Sequence, residues 1–195
     1  MDNSRTPARA KYFGFRTMVT ASLAVALCGL AKAQNPVIDW NAIAVTTALN
    51  GNQTISPGSN TSGGTSLYLA YTHLAIYDAV NAIDHRFQPY SSENPAPAGA
   101  SVDAAVISAA YNTLAFYFPD QSASLTAQYL AALGVLPDGQ AKQDGVQVGM
   151  AAANSIIAMR ASDGRGANVP YIFPFVPTAG VWIPTPPAHL LPLIP

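Results

Sequence analysis

The stretch 65–85 (TSLYLAYTHLAIYDAVNAIDH) sets the strongest limit on how this chain can fold. Leu69, His73, Ile76, Val80 and Ile83 recur at helical spacing on one stripe, and Leu67, Ala70, Leu74 and Tyr77 on a second. The pattern predicts a helix that is apolar on nearly every side. Such a helix belongs in the middle of a bundle, with neighbours around it.

Four other segments supply those neighbours. In 39–49, Trp40, Ile43, Ala44, Thr47 and Ala48 share one side, and Asn50-Gly51 reads as a left-handed stop. Residues 51–64 are a polar, glycine-rich loop. Asn52-Gln-Thr and Asn60-Thr-Ser match the short glycosylation pattern there and are read as loop residues. Phe87-Gln-Pro-Tyr90 ends the long helix, and 91–100 (SSENPAPAGA) has the composition of a linker. Ser101 can cap a helix running to Phe118, with Asp103 near its positive end, and Pro119 breaks it. A further helix spans 120–133 and closes at Gly134. The last begins at Pro137-Asp138, runs to Ser162 and stops at Gly164. Gly145, Gly149 and Ala153 recur on it every four residues. They would let a neighbouring helix approach closely, inside the chain or between subunits. No repeat of 20 to 50 residues recurs, and no strand-like alternation is sustained. The expected fold class is all-α: a bundle of about five helices followed by an extended tail.

The two ends differ from this middle. Arg5, Arg9, Lys11 and Arg16 precede an apolar run from Met18 to Leu30, and Ala31-Lys32-Ala33 places small residues before Gln34. This is the pattern of a Sec-type signal peptide, with an apolar core short of the roughly 20 residues a span needs. Leu27 before Cys28 does not match a lipoprotein signal, and the basic region has no arginine pair for twin-arginine export. The expected organisation is a signal peptide at 1–33, a helical domain at 34–168 and a tail at 169–195. The expected destination is the periplasm or the exterior, with no membrane attachment after cleavage. Cleavage would leave Arg86, Lys142, Arg160 and Arg165 against nine carboxylates, a net charge near −5. That balance has no basic stripe and argues against nucleic acid as a partner. The single cysteine, Cys28, leaves with the signal, so no disulfide or thiolate chemistry is expected beyond it.

The tail (VPYIFPFVPTAGVWIPTPPAHLLPLIP) is apolar, aromatic and proline-rich. Proline fixes φ and lacks a donor, so this segment suits neither a helix nor a central strand. It needs a surface to lie against, and the expectation is that further chain beyond Pro195 supplies it.

Within the chain, chemistry-bearing residues do not assemble into a motif. His73 lies on the apolar stripe, and the positions a zinc partner would take hold Ile76 and Tyr77. It reads as a packed histidine bonded to a neighbour. His85 suits a helix C-terminus, and His189 stands between prolines without a companion. Asp103, Asp120 and Asp138 suit helix starts, and Asp163 could pair with Arg160 or Arg165. Asp78 falls inside the apolar helix, where a carboxylate needs donors; a structural hydrogen bond is the simplest reading. No Gly-x-Ser-x-Gly elbow occurs, and no lysine follows Gly58-Ser-Asn-Thr-Ser-Gly-Gly64 to make a phosphate loop. No catalytic, cofactor-binding or metal-binding residue is assigned.

An ordered set of segments nevertheless has a likeness. His73-Leu-Ala-Ile-Tyr-Asp-Ala-Val-Asn-Ala-Ile-Asp84 leads to Phe87-Gln-Pro-Tyr90, then to Ser101-Val-Asp-Ala-Ala-Val and Phe118-Pro-Asp. Pro137-Asp-Gly-Gln-Ala-Lys, the Gly145/Gly149 pair, Arg160-Ala-Ser-Asp-Gly164 and Gly180-Val-Trp-Ile-Pro-Thr-Pro-Pro187 follow. In this order they resemble the N-terminal helical region of bacterial vanadium-dependent haloperoxidase-like proteins, relatives of type-2 phosphatidic-acid phosphatases. The resemblance covers about 36–192. It implies an all-helical fold and, for the full-length family, a bound vanadate at which peroxide oxidises halide; related members hydrolyse phosphate esters through a histidine. The family's site comes from a lysine followed by Arg-Pro, a Pro-Ser-Gly-His segment and a serine-arginine segment leading to a second histidine. None of these occurs in the 195 residues. The resemblance therefore implies the N-terminal part of such an enzyme, incomplete relative to the family domain, inactive alone and holding no cofactor itself. Its partner would be the C-terminal catalytic region or an equivalent acting in trans, and a homo-oligomer stays open. The alternatives are a fragment of a phosphatidic-acid-phosphatase-like phosphoesterase and a non-catalytic helical module that binds through its tail.

The leader reading has a direct test. The exported protein is expected to begin at Gln34, as read by intact mass; a species retaining residues 1–33 would contradict it.

Overall fold

The computed structural model describes residues 35–56, 59–91, 95–165, 179–181, 183, 184 and 187. Five α-helices are formed: α1 (Pro36–Leu49), α2 (Ser62–Asp84), α3 (Val102–Tyr117), α4 (Ser122–Gly134) and α5 (Gln140–Met159), with a 3-10 turn at Pro119–Gln121. No strand occurs among the described residues. Among the described residues the chain forms an all-α bundle of five helices, as the periodicities indicated. The signal reading at 1–33 and nearly all of the tail, His189 included, lie outside the described residues. No described helix is long and apolar enough to cross a membrane.

Local chemistry sets the helix starts. The Asn35 Oδ1 accepts the Val37 N–H at 3.0 Å and Pro36 follows it, so α1 begins ahead of the expected Asp39. Thr61 Oγ1 accepts the Gly64 N–H at 3.1 Å, which draws Gly63 and Gly64 out of the expected loop and into α2. Ser101 Oγ accepts from Ala104 at 3.2 Å, as its position suggested. α5 is shorter at both ends than the expected 137–162. Gly51 departs from expectation in another way, since it is absent from the glycines at positive φ. Glycine is needed there for space. A Cβ would lie 2.1 Å from Ser59 Oγ and 2.8 Å from the Phe118 ring.

α3 is the central helix and touches all four others. Every residue from Ala104 to Ala110 is buried. The expectation that α2 would be the enclosed helix is corrected here: Ala70 and Tyr77 are exposed on it. Its deepest face is Tyr68, Tyr71, Thr72, Ala75, Ile76 and Ala79, and of these only Ile76 belongs to the two apolar stripes read from the sequence. The physical reason is the surface they meet: Tyr68 and Tyr71 pack their rings against Tyr117 and Phe118 at the end of α3. Leu67, Leu69, Leu74 and Val80 are half-buried at the flanks.

α3 and α5 approach each other closely. A Cβ on Gly149 would sit 2.2 Å from the Ala105 carbonyl oxygen and 2.7 Å from the Ala109 nitrogen, and one on Gly145 would sit 2.3 Å from the Ser101 carbonyl oxygen. The small-residue stripe therefore serves a contact within the chain. Two hydrogen bonds fasten it: Ser101 N–H to the Ala141 carbonyl at 2.8 Å, and Ser108 Oγ to the Val146 carbonyl at 2.7 Å. Gly149→Ala should lower stability by about 1–3 kcal/mol through overpacking, although alanine favours a helix by about 1 kcal/mol over glycine. Gly134→Ala, where nothing lies within 4 Å, should be neutral or slightly stabilising. Urea unfolding of the pair checks the contrast.

Candidate functional site

Two assemblies of polar groups stand out, both built on α2. The first joins the helix to the loop that follows it. Asp78 is 4% exposed, so its charge must be met inside the protein. Its Oδ1 accepts the Tyr90 N–H at 2.7 Å, and its Oδ2 accepts the Ser91 N–H at 2.9 Å and the Ser91 hydroxyl at 2.5 Å. One turn on, Asn81 pairs with Phe87 in both directions: its Oδ1 accepts the Phe87 N–H at 2.8 Å and its amide donates to the Phe87 carbonyl at 2.6 Å. The Tyr77 hydroxyl donates to the Gln88 carbonyl at 2.7 Å. His85, left-handed at φ 51°, makes the reversal that brings this loop back. Asp78 is thus a structural acceptor, the role its burial required.

The second assembly lies where the turn after α5 meets α2 and the end of α3. Tyr68, Tyr71 and Tyr117 are buried, with Phe118 against Tyr68 at 4.9 Å between ring centroids. The Arg165 guanidinium lies 4.8 Å from the Tyr117 centroid and 5.6 Å from that of Tyr68, and it donates to the Tyr68 hydroxyl at 3.0 Å. The Arg160 guanidinium lies 5.9 Å from the Tyr71 centroid and 5.5 Å from that of Tyr90, and donates to the Tyr90 hydroxyl. The expected pairing of Asp163 with an arginine side chain is replaced by other bonds. Its carboxylate accepts from the Tyr71 hydroxyl and, at 3.0 Å, from the Arg165 backbone N–H. The Nε of Arg160 and of Arg165 are shielded and have no acceptor among the described residues.

These contacts shift three titrations, and at Tyr117 burial raises the hydroxyl against the opposing Arg165 charge. Burial, then the bond to Asp163 and its charge, hold Tyr71 well above its ordinary value. For Asp163, burial acts upward, but the Tyr71 hydroxyl, the Arg165 amide and the Arg165 and Arg160 charges outweigh it and hold the carboxyl below its usual range.

The other residues singled out from the sequence do not converge. His73 Nε2 is 2.9 Å from Asn41 Oδ1 of α1, so it bridges two helices. Lys142 is paired with Asp138 at 2.9 Å, and Arg86 lies 3.9 Å from Asp84. No group of three or more His, Cys, Asp or Glu among the described residues could hold a metal ion. Sequence reasoning missed the tyrosine–arginine assembly altogether, because its members come from positions 68 to 165; the one available signal was two arginines close together in a chain with few cations. Comparison with protein-family models, curated proteins and solved structures yields no match.

Two outcomes follow from this geometry. Asp78→Ala strands three donors and should cost roughly 2–4 kcal/mol in urea unfolding. The Tyr71–Asp163 bond should give a stability plateau with two limbs. Asp163 has a depressed folded pKa, so its contribution is complete above the unfolded value and is lost as pH falls through the folded one. Tyr71 has a raised folded pKa, so its contribution is complete below its unfolded value near 10 and is lost as pH rises through the folded one. Asp163→Asn should flatten the acid limb; an unchanged acid profile would show that the carboxylate contributes nothing.

Proposed function

We propose that this chain is the exported N-terminal helical scaffold of a vanadium-dependent haloperoxidase-like protein. The single observation that carries the reading is the ordered run of family-like segments across 36–192. What supports it further is that one of them, from His73 to Asp84 with Phe87 to Tyr90, acts as one physical unit: Tyr77, Asp78 and Asn81 hold the backbone of the segment that follows. Residues of such a unit are constrained together by scaffolding.

The family's activity is peroxide-driven oxidation of halide at vanadate. The described donors of this chain do not fit a vanadate cradle. Lys142 and Arg86 sit beside carboxylates of their own helix regions, and Arg160 and Arg165 lie against tyrosine rings with Asp163 nearby. No catalytic step is assigned to them. The reading places the reaction on the family's C-terminal motifs, borne by further chain or by a partner.

The chain alone, given vanadate, peroxide and bromide, is expected to show no halide oxidation, and a phosphate-ester arm no hydrolysis. Adding a polypeptide that carries the three family motifs, in cis beyond Pro195 or in trans, is expected to restore one of these activities. Turnover by the chain alone, or none in any combination, would overturn the proposal.

A further inference from the structure

Tyr71 has its ring inside the protein and its proton at the edge. The residue is 2% exposed, while its hydroxyl donates to the carboxylate of Asp163, which faces solvent. A phenol that loses an electron becomes a very strong acid. Its oxidation is therefore easiest where a proton acceptor already stands within hydrogen-bond reach. Asp163 fills that role. The Arg165 backbone N–H, which donates to it at 3.0 Å, and the nearby charges of Arg165 and Arg160 keep it in the carboxylate form. An oxidised phenol is a far stronger acid than any carboxylic acid, so Asp163 still accepts its proton. From Asp163 the proton can pass to water.

The surroundings favour a radical that lasts. Tyr68 and Tyr117, both buried, pack on Tyr71 with ring centroids 6.3 and 5.2 Å away, and the Arg160 guanidinium lies 5.9 Å from its centroid. Close packing keeps the phenol of a second molecule, or any bulky quencher, from the ring. An electron needs no such access, because it can tunnel out. Tyr68 and Tyr117 compete poorly for the electron hole. The Arg165 guanidinium lies 5.6 and 4.8 Å from their centroids, and its charge opposes removal of an electron. At Tyr71 the charge of Asp163 offsets that of Arg160. We propose that Tyr71 is a redox-active tyrosine, which a one-electron oxidant converts to a neutral tyrosyl radical while Asp163 takes the proton. The O–H bond of Tyr71 breaks and one forms on an Asp163 oxygen. The electron passes to an outer-sphere oxidant, which is reduced by one. Return of an electron from a reductant, and of the proton, restores the pair. This activity does not rest on the family reading.

Flash oxidation of the chain by photogenerated tris(bipyridyl)ruthenium(III), followed by electron paramagnetic resonance, tests this. A long-lived neutral tyrosyl signal is expected, outlasting the radicals of the exposed Tyr77 and Tyr90, which are open to coupling. Tyr71→Phe is expected to abolish it, and Tyr117→Phe to leave it. Asp163→Asn, whose amide cannot take the proton, is expected to abolish it as well. As a change at an exposed position, it decides the matter should Tyr71→Phe fail to fold. No long-lived signal in the unaltered chain, its survival in a folded Tyr71→Phe or Asp163→Asn variant, or its loss in a folded Tyr117→Phe variant would each overturn the assignment.

Discussion

The near-contact of two helix backbones governs this fold. Gly145 and Gly149 leave α5 without side chains at two successive turns, and α3 answers with Ala104, Ala105, Ser108 and Ala109. Dispersion forces are individually small but fall off steeply with distance, so bringing two backbones together gains many contacts at once. The same closeness permits Ser108 to bond a carbonyl of the opposite helix. With α3 and α5 locked, the end of α5 is delivered to the face of α2 that carries Tyr68 and Tyr71. The arginine–tyrosine assembly follows from that placement.

The assembly also shows how a chain with few cations uses them. Two of the four basic residues beyond position 33 lie on one aromatic surface, stacked against rings, while the neighbouring carboxylate turns to a tyrosine hydroxyl and a backbone amide. Guanidinium is weakly hydrated and tolerates such surroundings better than an ammonium would. Lys142, by contrast, keeps to a carboxylate one helical turn away.

Helix number, the Ser101 cap and the break at Pro119 could be read from the chain because each depends on residues a few positions apart. The early start of α1 is also written in the chain, as a capping Asn35 followed by Pro36, a signal that apolar spacing does not carry. The choice of buried face on α2 was not readable from hydrophobicity. Leucines and a valine are the more hydrophobic residues there, yet alanine and tyrosine took the interior, because the rings of Tyr117 and Phe118 await Tyr68 and Tyr71 from a segment distant in sequence. Asp78 announced that it needed donors without naming them. The meeting of Tyr71 with Asp163 depends on how three helices are stacked, and local pattern carries no trace of that.

The loop held by Asp78 has a kinetic side. Its bond to Tyr90 closes 12 residues, whereas the bond from Tyr71 to Asp163 closes 92. Chain-closure entropy grows with the logarithm of the separation, which makes the longer ring costlier by about 2 kcal/mol. The hairpin-like return after α2 can therefore form from local chain alone, before the end of α5 is in place. Order along the chain and order of assembly would then coincide.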